Sequence, residues 1–200
     1  MKLIAWDFDG VLNRGHQGGF HDWQSSFEAD LGVSAAVFTD FMFGSGQFNE
    51  VLTGKRDLKD LLAAWKAAHA VPHEVDTVLD YWLTKDANVD ARVLAWVDAC
   101  GIPGVIATNN EQHRAKYMWE VMGFQTRMRQ IFASGPLGVK KPDGDFFAAI
   151  EAWSGLPPAE ILLIDDAQKN ITAAAARGWQ TFHFTDETRD RLPEVLGLIP

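Results

Sequence analysis

The sequence predicts an α/β fold: a mainly parallel sheet with helices on both faces, interrupted by an all-helical insertion. Three observations carry this. From about Val89 to the C-terminus, short apolar runs alternate with helix-patterned stretches, the pattern of right-handed βαβ crossovers. One strand stands alone at the N-terminus, and the next clear one starts only at Ile102. Between them, successive stretches carry apolar residues three and four apart, as amphipathic helices do.

Taken in order, Lys2–Asp7 (KLIAWD) is short and mostly apolar and reads as a buried strand. FHDWQSSFEADLG, SAAVFTDFMFG, DLKDLLAAWKAAHA and HEVDTVLDYWLT read as helices. Ser34 and Asp57 are N-cap residue types, and Pro72 stands near the start of the fourth. Gly32, Gly44, Gly46 and Gly54 punctuate the series. Past Asp86 the rhythm changes. VDARVLAWVDAC is a helix and GVIAT a strand; EQHRAKYMWEVMG is a helix and IFASG a short strand. PDGDFFAAIEAWSG is a helix and ILLIDD a strand; QKNITAAAARG is a helix, WQTFHF a strand and DETRDRLPEVL a last helix. The organisation that follows is an α/β core of residues 1–13 and 87–200 with a helical insertion at 14–86.

Composition bounds the function. Two hundred residues suit one domain, or one core carrying a smaller insertion. Eight Trp and thirteen Phe supply material for a core and for an apolar pocket. A net charge of −9 leaves no basic footprint, so no nucleic-acid partner is expected. Anions can still bind where a local cation or oriented N–H groups meet them. The lone Cys100 excludes an intramolecular disulfide and reads as a core residue. No apolar run reaches the roughly 18 residues of a membrane span. With the first strand starting at once there is no room for a leader, so a cytoplasmic location is expected.

In a parallel α/β sheet, ligands bind beyond the carboxyl ends of the strands. Four polar clusters fall there: Asp7 and Asp9; Thr108, Asn109 and Asn110; Lys140 and Lys141; Asp165 and Asp166. Two or three carboxylates with backbone carbonyls and water make a hard-oxygen Mg²⁺ site. A carboxylate there can attack phosphorus to give an aspartyl-phosphate, and a second acid can protonate the leaving oxygen and then activate water. A hydroxyl and a lysine would hold the phosphoryl oxygens as charge develops. Gly10 lets the backbone turn closely around that group. Each cluster alone has a plainer reading as a turn, a helix cap or a solvated loop, Asn109 or Asn110 being possible caps of EQHRAKY.

The set DFDGVLN, ATNN, GVKKPD and LLIDDAQKNITAAAARG resembles, in order and spacing, the four motifs of the haloacid dehalogenase (HAD) superfamily, and it runs through the whole core. The resemblance implies a Rossmann-like sheet, and the helical stretch is similar to the small helical cap of one branch. It implies that Asp7 is the nucleophile and a Mg²⁺ ligand. Asp9 would be the general acid/base and a ligand through its carbonyl. Thr108 and the Asn109 N–H would bind the phosphoryl group. Lys141 would neutralise the nucleophile and the phosphate, with Lys140 the second choice. Asp166 would be the main last-motif ligand, with Asp165 bound directly or through water and Asn170 holding the loop.

Dehalogenases of the superfamily lack the second Asp, because a halide needs no proton; Asp9 therefore favours a phosphatase or a phosphomutase over a dehalogenase or a non-catalytic module. The insertion resembles that of bacterial sugar-phosphate phosphatases, and an insertion of this length leaves a small cleft, so a small phosphorylated metabolite is expected, with the protein a monomer or homodimer. Arg14, His16, His21, Gln47, Lys55 and Arg56 are the polar candidates to face substrate, with Gln47 able to select a sugar hydroxyl. Phe43 and Phe48 read as cap core or substrate walls, and His113 and Arg114 as the site edge or a solvated helix face.

Overall fold

The computed structural model of the chain describes residues 1–14 and 22–199. Five strands form one sheet in the order β3-β2-β1-β4-β5, with every neighbouring pair parallel. They are β1 (Leu3–Trp6), β2 (Gly104–Thr108), β3 (Ile131–Ala133), β4 (Ile161–Asp165) and β5 (Gln180–His183). β1 is central, pairing Trp6 with Ile106 on one side and with Ile164 on the other. The chain builds outward from β1 through β2 and β3, then crosses to β4. The strand order therefore reverses between β1 and β4, and the crevice beyond that point is where such sheets hold ligands.

Eleven α-helical segments lie among the described residues: α1 (Phe27–Leu31), α2 (Ala35–Thr39), α3 (Phe48–Leu52), α4 (Leu58–His69), α5 (Val75–Lys85), α6 (Ala91–Ala99), α7 (Gln112–Lys116), α8 (Ser134–Leu137), α9 (Gly144–Ser154), α10 (Gln168–Ala176) and α11 (Leu192–Val195). Alternate residues of the strands feed two apolar clusters, one per face. Ile4, Trp6, Ile106, Leu162 and Ile164 pack with Phe8 and Phe124. Leu3, Ala5, Val105, Ala107 and Leu163 pack with Phe146 and Phe147. That two-sided burial explains why these strands read as continuous apolar runs. Trp6 needs extra room, and the neighbouring strand supplies it: a Cβ on Gly104 would lie 3.0 Å from the indole nitrogen.

Residues 22–85 form a helical layer with its own apolar cluster. Trp23, Phe27, Phe38, Trp65 and Trp82 meet there ring against ring, Trp23 stacked on Trp82 at 5.0 Å. The caps follow the sequence at Ser34, whose Oγ accepts from the Val37 N–H, and at Asp57, whose carboxylate accepts from the Lys59 N–H. Several expectations shift. Of the helix expected at 20–32, the described residues form a three-residue 3₁₀ turn at Asp22–Gln24 followed by α1. A short helix that the sequence pattern does not mark, α3, follows Gly46 and Gln47. The cap of α7 is Glu111, which accepts from the His113 and Arg114 N–H groups, so Asn109 and Asn110 are left for other partners. A carboxylate there also complements the helix dipole.

The two chain crossings between layers lie side by side. Asn13 donates to the Asp86 carbonyl at 2.8 Å and accepts from the Asn88 N–H at 2.7 Å. The Arg14 N–H donates to the Asn88 carbonyl, and the Arg14 side chain pairs with Asp90 at 2.7 Å. Arg14 is thus spent at this seam. Asn13 is wholly buried and also reaches an oxygen of Asp9 at 3.3 Å, so the seam is tied to the first sequence motif.

Candidate active site

Asp7 leaves β1 at the switch point, where its N–H still donates to the Ile164 carbonyl of β4. Its carboxylate is nearly buried, and Oδ1 accepts from the Phe8 N–H at 2.7 Å. Lys141 reaches it from the loop before α9, with Nζ 3.0 Å from that same oxygen. The Lys141 ammonium also donates to Asp165 Oδ2 at 2.5 Å and is only 1% exposed. One buried cation is therefore shared by two buried carboxylates. Burial alone would lower the lysine, but Asp7 and Asp165 outweigh it and hold it above its ordinary value. Burial pushes the Asp7 carboxyl well up, with Asp165 and Asp166 adding to this and Lys141 opposing it.

Lys141 is placed by its neighbours. The Asn109 amide accepts from the Lys141 N–H at 2.8 Å and donates to the Lys141 carbonyl at 2.9 Å, a reciprocal pair that fixes the backbone. Lys140 points the other way and donates to Asn49 of the helical layer. Of the two adjacent lysines, only Lys141 enters the crevice.

Asp165 and Asp166 differ as sharply. Asp165 is wholly buried and accepts from Asn170 through both oxygens, from the Ala167 N–H and from Lys141. Asn170 therefore ties its helix to Asp165. Asp166 is exposed at the rim, yet protein packed around its carboxyl and the charge of Asp165 raise it above its ordinary value. Gly10, at φ +82°, cradles it: a Cβ there would lie 2.3 Å from Asp166 Oδ2. Carboxylate oxygens of Asp7, Asp165 and Asp166 lie within 4.8 Å of one another. Three acids with one ammonium suit a hard divalent cation, and Asp166 is the member whose carboxylate is least occupied by described protein donors.

Asp9 faces the helical layer, and three described side chains hold it. Arg114 donates to Oδ1 at 2.7 Å, and Asn110 donates to Oδ2 at 2.9 Å and to the Thr108 hydroxyl at 2.7 Å. The third is Asn13. Arg114 also pairs with Asp86 and lies over the Phe8 ring at 5.7 Å. It is the site-edge residue, whereas His113 pairs with Asp57 at 2.8 Å and ties α7 to α4. Sequence alone does not mark Asp86, whose partner Arg114 lies 28 positions away, or Asn13, which meets Asp86 across 73 positions. Arg114→Met is expected to cost about 3 kcal/mol, the low end for breaking a buried pair, since Asp9 remains 28% exposed. A melting temperature lowered by about 6–12 °C, with reduced turnover, is the readout.

A cleft of about 180 Å³ opens beyond Asp9, between the two layers. Phe43, Phe48, Leu52 and Trp82 line its outer side, and Asn109, Asn110 and Arg114 its inner side. Phe43 and Phe48 are thus walls of the cleft as well as partners of Trp82 in the helical layer. Gln47 turns away, accepting from Arg56 at 2.7 Å and donating to Ser45 at 2.8 Å. His16 and His21 lie outside the described residues.

Known structures share this fold. A predicted HAD-like hydrolase of Porphyromonas gingivalis superposes with a TM-score of 0.77 at 18% identity, covering 99% of this chain and 97% of that one. A HAD family enzyme of Bacteroides thetaiotaomicron, solved with magnesium and inorganic phosphate, gives 0.74 at 15% identity over 92% and 94%. The L-2-haloacid dehalogenase of Xanthobacter autotrophicus gives 0.63 at 16% identity over 96% and 81%. At these identities the likeness is one of fold. Among curated proteins, drimenol cyclase of Aspergillus calidoustus is 32% identical over 74 residues, 36% of this chain, and the chain spans 14% of that protein's length. The haloacid dehalogenase-like hydrolase model matches residues 1–178, and the chain belongs to that family.

Proposed function

We propose that the protein is a Mg²⁺-dependent phosphatase that hydrolyses a small phosphomonoester through an aspartyl-phosphate on Asp7. The observation that carries this is the pair of differently held acids on one loop. Asp7 sits in the crevice against Lys141, while Asp9 stands apart, oriented by Arg114 and Asn110 toward the cleft. A nucleophile needs the first setting and a general acid/base for a leaving oxygen the second. A haloalkanoate would give the second acid nothing to protonate.

Asp7 would attack phosphorus, and Lys141 would offset the charge gathered on the transferring group. The Thr108 hydroxyl, buried beside the crevice, would bind a phosphoryl oxygen, with the Asn109 N–H beside it. Asp9 would give its proton to the leaving oxygen and then take one from the attacking water. A magnesium ion held by Asp7, Asp166, the Asp9 carbonyl and Asp165, directly or through water, would neutralise charge on the phosphoryl oxygens. The helical layer would act as a cap that excludes bulk water and meets the leaving group. The magnesium and phosphate in the Bacteroides structure are consistent with this reading.

Phosphate release from a panel of small phosphoesters, with Mg²⁺ and with EDTA, tests it. Metal-dependent release supports the phosphatase. An isomerised sugar phosphate without free phosphate would make the protein a phosphomutase, and chloride release from L-2-chloropropionate a dehalogenase. A cation seated among crowded carboxylates also stabilises the fold. Mg²⁺ at about 100 times its dissociation constant is worth about 2.7 kcal/mol, so the melting temperature should rise by about 5–11 °C. Asp166→Asn should shrink that rise; an unchanged rise would remove Asp166 from the ligand set.

A further inference from the structure

We infer that the group carried by the phosphate is neutral and hydrocarbon-like, about the size of one six-membered ring, and that the cleft over Asp9 reads it. This rests on the phosphatase reading and adds the substrate class. The cleft begins at Asp9, where a leaving oxygen would receive its proton, so its contents are the leaving group itself. Phe43, Phe48, Leu52 and Trp82 form its outer wall. At about 180 Å³ it slightly exceeds the roughly 150 Å³ that holds benzene between aliphatic and phenyl side chains.

Its polar lining is already engaged. Asn109 is spent on the Lys141 backbone, and Asn110 donates to Asp9 and Thr108. Arg114 is divided between Asp9 and Asp86, and Glu111 accepts from two backbone N–H groups. A sugar would bury several hydroxyl oxygens against donors already largely committed, and each unsatisfied one is costly. Charge argues the same way. Among the described lining residues Asp9, Asp86 and Glu111 face a single cation, Arg114, so a second anionic group on the substrate meets an acidic wall. The side chain expected to select a hydroxyl, Gln47, is bound to Arg56 and Ser45.

The test compares cyclohexylmethyl phosphate with glucose 6-phosphate. Both are primary esters of a six-membered ring, and they differ mainly in the ring hydroxyls and oxygen. Acetyl phosphate, too small to fill the cleft, reports phosphoryl transfer alone. The expected result is Mg²⁺-dependent turnover of acetyl phosphate with kcat/KM at least about tenfold higher for the cyclohexyl ester. That ratio should fall severalfold in Phe48→Ala and in Leu52→Asn, two half-buried positions on the cleft wall. Acetyl phosphate turnover with a ratio at or below one would overturn the inference and leave the phosphatase standing. So would a ratio unchanged in both active variants. No turnover of any of the three would overturn the phosphatase reading and this inference with it.

Discussion

Asp7→Asn is expected to lower turnover by on the order of 10⁴-fold or more and to leave the protein folded. Asparagine keeps an oxygen where Oδ1 accepts from the Phe8 N–H and removes only the charge and the nucleophile. Lys141 retains Asp165, so no cation is stranded. The melting temperature of the metal-free protein should hold or rise. Burial and the neighbouring Asp165 and Asp166 raise the Asp7 carboxyl. A carboxyl raised in this way favours the folded state below its unfolded value, near pH 4, and that advantage is lost as the pH climbs through the raised one. The stability this carboxyl confers is therefore greatest in acid and falls as the pH rises, a dependence that Asn removes. Phosphate release and thermal melting on the same preparation give the check. Activity within tenfold of wild type would exclude Asp7 as nucleophile.

Lys141→Met is expected to lose both stability and activity. It leaves Asp7 and Asp165 facing each other without their cation, in a setting where Asp165 is wholly buried. Removing one partner of such a buried set costs about 3–5 kcal/mol, or about 6–20 °C in melting temperature for a chain of this size. Turnover should fall by about 10²-fold or more, because the developing phosphoryl charge loses a preorganised partner. Mg²⁺ should recover part of the stability by neutralising the same acids. Lys140→Met is the internal control. Its ammonium reaches only Asn49 among described partners, and a surface change of that kind at a half-buried residue stays within about 0.5 kcal/mol. Equal losses from the two substitutions would contradict the division of roles seen in the crevice.

The sheet was legible because its signals are local. LIAW, GVIAT and ILLID are apolar up to their last residues, since strands covered on both faces have no solvent side to mark with polar residues. The acids were legible for the same reason, each standing where a strand stops. The structure turns Lys141 and Lys140 in opposite directions, Lys141 to Asp7 and Lys140 to Asn49. The Glu111 cap was not legible, because ATNNEQ offers several capping residues in a row and packing selects among them. Nor was the role of Phe43 and Phe48, since an aromatic at helical spacing looks the same whether it fills a core or walls a cleft.

The amino-acid order alone thus determined which strands form, that they run parallel, and that acids and a lysine gather at their carboxyl ends. Those outcomes depend on period, residue type and the handedness of crossovers, all written within short stretches of chain. Tertiary structure decided the rest. It set Arg114 between Asp9 and Asp86, spent Asn109 on Lys141, turned Gln47 toward Arg56, and left a largely apolar outer wall over the acid. Asp9 and Arg114 are 105 positions apart and Asn109 and Lys141 are 32 apart. Pairings over such distances exist only once both layers are packed, when buried charges and amides must find partners and whichever groups lie within reach become those partners.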